Sequence, residues 1–214
     1  MGYVVHLFLL VLIMFGCGKK EESKNEAKPF KRILIPNKVK KQADTIEFIS
    51  YLILNKSDNE NFSIQISKRE AIITFGKNNE IIIGQYDKKI KYFNRLGDVI
   101  AIVRNKPNEI LITNTDEQLI WKIKIEDKLK IADNEAMRNA FEIHSGINQT
   151  CKVFAFDKAL GNLQVKGRQI LLKGSKNFET EFIKNYPALG ILLVQPIPED
   201  MRLVILTELL RFSN

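Results

Sequence analysis

Cysteine and histidine are scarce in this chain: two of each occur in 214 residues, and one of each, Cys17 and His6, sits within the first seventeen. Only Cys151 and His144 remain for the rest of the chain, which excludes a disulfide scaffold or a Cys/His zinc site there. Glycine and proline are also modest, at 11 and 6 residues without long tracts, so a fibrous or disordered protein is excluded. No apolar run is long enough for a membrane-spanning helix. The longest N-terminal run, Val4 to Phe15, is broken only by His6 and would rise about 18 Å as a helix, against a hydrocarbon core of roughly 30 Å. The apolar stretch from Pro187 to Phe212 is interrupted by Pro196, Pro198, Glu199, Asp200 and Arg202. What is abundant is hydrophobic residue, 45% of the chain, enough for the core of one domain, and positive charge, with 33 Lys and Arg against 25 Asp and Glu for a net +8.

The N-terminal run has the length of a signal-peptide h-region, with small Gly16 before Cys17 and an abrupt polar stretch after it. The residues Met14-Phe15-Gly16-Cys17 resemble the lipobox of bacterial lipoproteins. That resemblance implies a signal peptide over residues 1–17, acylation of Cys17 as the lipid attachment site, and a bacterial membrane as partner. Gly18 at the next position implies, by the same resemblance and for a Gram-negative host, the outer membrane. The plain alternative is an uncleaved N-terminal anchor in which Cys17 is an ordinary buried residue. Residues 18–44 follow as a charged tether, with Lys19, Lys20, Lys24, Lys28, Lys31 and Arg32 against Glu21, Glu22 and Glu26, and Ser23, Asn25 and Pro29 between.

From about Thr45 the apolar residues alternate with polar ones, the period of a half-buried strand. Phe62, Ile64 and Ile66 alternate with Ser63, Gln65 and Ser67; Leu119, Trp121, Ile123 and Ile125 alternate with Lys122, Lys124 and Glu126, Ile120 being the exception. Ile81-Ile82-Ile83 and Val99 to Val103 are apolar on both sides, which predicts that both of their faces are covered. Polar clusters at Gly76–Asn79, Asn94–Asp98, Asn105–Asn108, Asn114–Glu117, Asp133–Glu135 and Asp157–Gly161 read as turns. Asn94, Asn114, Asp133 and Asp157 are spaced 20, 19 and 24 residues apart, a recurrence that duplication and the plain arithmetic of hairpins explain equally well. Pro198-Glu199-Asp200 is a helix start, and the helix it opens, Met201 to Phe212, is apolar nearly all round its axis and so requires enclosure. The predicted fold class is all-β, an antiparallel hairpin meander or closed barrel, with one hydrophobic C-terminal helix packed in or through it, forming a single domain over residues 45–214.

Hairpins with Asp, Asn and Gly turns closed by one strongly hydrophobic C-terminal helix resemble the tubby C-terminal-like superfamily, which includes tubby domains, their plant relatives and phospholipid scramblases. The resemblance implies a barrel around a central helix and brings lipid binding into view.

For chemistry, Cys151 and His144 are the one nucleophile-and-base pair on offer, and their strand parity places them on opposite faces, one buried and one exposed. No catalytic residue, cofactor or metal site is assigned. Three basic clusters, Lys88-Lys89-Ile90-Lys91, Lys122-Ile123-Lys124 and Lys166-Gly167-Arg168 to Lys176, read either as a shared positive face for anionic lipid or as ordinary solvated strand faces. Export and the lack of an aromatic stacking platform speak against nucleic acid. The sequence therefore predicts a membrane-anchored envelope lipoprotein with a non-catalytic binding or structural role, partnered by anionic lipid or an envelope protein. The alternatives are an anionic-lipid-binding or lipid-perturbing module and an enzyme with a dispersed carboxylate site.

Overall fold

A computed structural model describes residues 47–212; Cys17, the signal segment 1–17 and the tether 18–44 lie outside the described residues. The strands are β1 (Ile49–Asn55), β2 (Glu60–Ile66), β3 (Glu70–Phe75), β4 (Glu80–Tyr86), β5 (Ile90–Phe93), β6 (Val99–Lys106), β7 (Glu109–Thr113), β8 (Leu119–Ile125), β9 (Lys128–Ala132), β10 (Phe141–Ser145), β11 (Thr150–Ala155), β12 (Lys158–Lys166), β13 (Gln169–Gly174) and β14 (Asn177–Glu181). Each pairs antiparallel with its neighbour in sequence, and β1 pairs with β14 through Ile53↔Thr180 and Leu54↔Glu179. The result is a closed barrel of fourteen strands with no free strand edge.

Alternation places one face of every strand inside. Ile53, Phe62, Ile64, Ile73, Ile110, Ile112, Ile123, Ile131, Ile143, Val153, Leu163 and Ile170 are buried, each within the one core. A barrel of about eight strands fills its own lumen with side chains, whereas fourteen leave room for more. That room is taken by the chain's last segment. A 3₁₀ helix, Tyr186–Leu193, rises from the end at which β1 begins and β14 finishes, and helix α1, Glu199–Phe212, returns alongside it. Every residue of α1 from Met201 to Leu210 is buried, as its all-round apolar character requires. Its start follows the sequence: Arg202 N–H donates to the Pro198 carbonyl at 2.9 Å, and Asp200 accepts from Met201 N–H at 2.8 Å. Close approach demands one glycine in the 3₁₀ segment, for a Cβ on Gly190 would lie 2.9 Å from Ile143 Cγ2.

The recurrence near twenty residues has a local chemical cause. Asn94 Oδ1 accepts from the N–H groups of Leu96 and Asp98, Asn114 Oδ1 from Asp116 and Gln118, and Asn134 Oδ1 from Arg138. These Asx turns close alternate hairpins at the same end of the barrel. The Ile120 exception is a β-bulge: Trp121 pairs with Ile112 and Leu119 with Thr113, so Ile120 has no partner opposite it.

Three expectations need correction. β1 begins at Ile49, and Thr45 lies outside the described residues. Lys158 to Gly161 belong to β12 rather than to the preceding turn, because Asn162 and Gly161 continue the pairing with β11 and β13. Most consequential, Ile81 and Ile83 are not covered on both faces: Ile82 points inward at 2% exposure, while its neighbours face outward at 36% and 39%. Val99 to Val103 fit the expectation better, with Ala101, Ile102 and Val103 all buried.

Candidate functional site

Two polar constellations stand out, one inside the barrel and one on its wall. The inner one lies where the last turns of α1 meet β4, β5 and β6. Glu208 is fully buried, and its carboxylate accepts from Tyr92 Oη at 2.6 Å, Asn105 Nδ2 at 3.1 Å and Arg211 at 2.6 Å. Since the Tyr92 proton is committed to Glu208, the 3.3 Å contact between the two tyrosine hydroxyls has Tyr86 donating to Tyr92. Arg211 also stacks over the Tyr86 ring, 4.4 Å from its centroid. Burial, and then the charge of Glu208, push both phenols upward, so both stay protonated and able to donate. Burial pulls the Arg211 guanidinium down, and the hydrogen bonds and charge of Glu208 more than offset it. Gly84 makes this arrangement possible, because a Cβ there would sit 2.7 Å from Tyr92 Cε1. The carboxylate is saturated by its own protein partners. It fixes the register of α1 inside the barrel and leaves no lone pair turned toward a substrate.

The outer constellation is a shallow groove of about 590 Å³ lined by Gln85, Asp87, Lys88, Lys89, Lys91 and Phe93. The β4–β5 hairpin builds it. Inward Ile82, Gly84 and Tyr92 force Ile81, Ile83, Gln85, Lys91 and Phe93 to the outside by strict alternation. Ile72, Ile83 and Phe93 are direct cross-strand neighbours, so an apolar row runs into the groove from β3. Lys89 pairs with Glu117 at 3.4 Å, whereas Lys88 and Lys91 have no ion pair among the described residues.

The remaining predicted residues fall as follows. Cys151 is fully buried opposite Ser145, and burial raises its thiol to about 11, so it is no nucleophile near neutrality. His144 is on the outer face with 43% of its side chain exposed, bonded to Glu142 at 2.7 Å. The barrel wall separates the pair. The three basic clusters do not share one face: β4–β5 and β12–β13 lie on opposite sides of the ring, with β8 between them. Lys122 is held by Glu135 at 2.8 Å and Glu109 at 3.3 Å, so it is already neutralised. Among the described residues no group of three or more His, Cys, Asp or Glu is placed to hold a metal, and no helix is long and apolar enough to cross a membrane. The Glu208 cluster was not legible in the sequence. The groove had a signal in Ile81-Ile82-Ile83, whose outward members needed a cover that the barrel does not supply.

No known protein family, curated protein or solved structure matches this chain.

Proposed function

We propose that the protein is a bacterial envelope lipoprotein, anchored through Cys17 and a charged tether, whose barrel is a non-catalytic binding module acting through its outer wall. The observation that carries the wall assignment is the filled lumen: α1 and the 3₁₀ segment occupy the space that a ligand-carrying barrel would keep open. Closure of the ring likewise leaves no strand edge for a partner strand to extend, so recognition falls to side chains. The order of elements, hairpins first and an enclosed helix last, supports the tubby-like relationship as part of this reading. Anchorage at Cys17 is supported by the sequence, through the apolar run and the break after Gly16-Cys17.

Intact mass spectrometry of the membrane fraction tests the anchor. The expected species starts at Cys17 and carries acyl mass, and Cys17→Ala abolishes it. A chain starting at Met1 without added mass overturns the anchor.

A further inference from the structure

We infer that the outer wall of β3 to β5 is the face with which the domain lies on an anionic phospholipid surface. The anchoring proposal contributes only the proximity of a membrane; the assignment of the face stands on the wall itself. Apolar side chains facing outward from a closed barrel gain nothing in water, yet Ile72, Ile81, Ile83 and Phe93 form one contiguous patch there. Beside them the groove presents Lys88 and Lys91, neither of them in an ion pair among the described residues, with Asp87 offsetting part of their charge. Apolar contact framed by lysines matches the boundary between acyl chains and anionic headgroups.

Two other occupants fit the chemistry poorly. A second copy of the same face would set lysine against lysine. The chain's own segment 18–44 carries Lys19, Lys20, Lys24, Lys28, Lys31, Arg32, Lys38, Lys40 and Lys41 against Glu21, Glu22, Glu26 and Asp44, a net positive charge that a groove of lysines does not attract.

The test supplies the tether artificially, so that it reads the face and leaves the anchor to mass spectrometry. Full-length Cys17→Ser protein with a C-terminal hexahistidine is held on vesicles containing nickel-chelating lipid, with phosphatidylglycerol or with phosphatidylcholine alone. Cys151 is buried, so a fluorophore attaches at a single introduced thiol: Ile83→Cys on the proposed face, or Gln164→Cys on β12 across the ring. Neutral acrylamide reads solvent access. On phosphatidylglycerol, quenching at position 83 should fall roughly threefold, return in high salt, and return in a Lys88→Glu/Lys91→Glu variant, while position 164 stays unchanged. Equal quenching at both positions overturns the inference. So does shielding of position 83 before vesicles are added: if it grows with protein concentration a second copy covers the face, and if it does not, another part of the chain does.

Discussion

The two faces of the β4–β5 hairpin come from the same eleven or so residues and yet answer to different demands. On the inner face Ile82, Gly84, Tyr86 and Tyr92 are spoken for: packed against the core, fitted round each other, or bonded to Glu208. On the outer face Ile81, Ile83, Lys91 and Phe93 are of similar apolarity and charge but have no protein partner that uses them so fully. Elsewhere on the wall Leu52 is also left exposed, at 56%, but several of the polar side chains are paired. Lys122 and Lys128 are tied to Glu135, Glu109 and Glu142, and His144 leans on Phe154 with ring centroids 5.0 Å apart. Residue type alone therefore does not separate stability from recognition; which side of the pleat a residue falls on does.

Substitutions on the two faces turn that contrast into measurements. The largest effect belongs to the helix that the inner face encloses. Leu206→Asp buries an unpaired charge at a fully buried site and should leave no cooperative thermal transition. An unchanged melt would show that α1 is peripheral. Next comes Glu208→Ala, which strands the half-buried Arg211 guanidinium and takes away the acceptor of the Tyr92 O–H; a loss of about 3 kcal/mol in denaturant unfolding is expected. A loss no greater than that of an exposed ion pair would mean that the cluster does not hold the helix.

Alkaline pH should act on the inner face too. The Cys151 thiol moves from its ordinary 9.0 to about 11 on folding, and the phenols of Tyr86 and Tyr92 shift upward from 10.0. The unfolded chain therefore gives up these protons at lower pH than the folded one. Stability is fully present below about pH 9 and falls as pH rises through 11, and Cys151→Ala should flatten the first part of that slope. A slope unchanged in that variant would assign the effect to other groups. The smallest expected change is on the outer face. Ile83→Ser and Lys91→Glu should each shift folding stability by no more than about 0.5 kcal/mol, which a chemical denaturation series resolves. A larger loss would show that the outer row supports the fold itself.

How much of this was legible beforehand follows from range. Strand alternation and Asx turns are local, so Phe62-Ile64-Ile66 and the Asn94 and Asn114 turns could be read directly. Enclosure of α1 was legible because a helix apolar on every side states its own surroundings. The Glu208 cluster was hidden because, apart from Arg211 one turn on, its partners Asn105 and Tyr92 come from 103 and 116 residues away. A lone Glu among leucines looks like an ordinary solvated position until the barrel wall is placed round it. The same limit explains the error at Ile81 and Ile83: a run apolar on both faces says that cover is needed, and only the assembled ring shows on which side it is missing.

The seam between β1 and β14 gives the ring a fixed order of assembly. Every hairpin before it joins neighbours in sequence and can form as the chain lengthens, but the seam joins Thr180 to Leu52, residues 128 apart, and the helix that fills the interior comes later still. Closing so long a loop is entropically costly and is repaid only when the apolar interior is occupied. A ribosome that still holds the last thirty or so residues therefore holds back the whole fold. A chain of this design stays threadable until its final segment is released, and then commits at once.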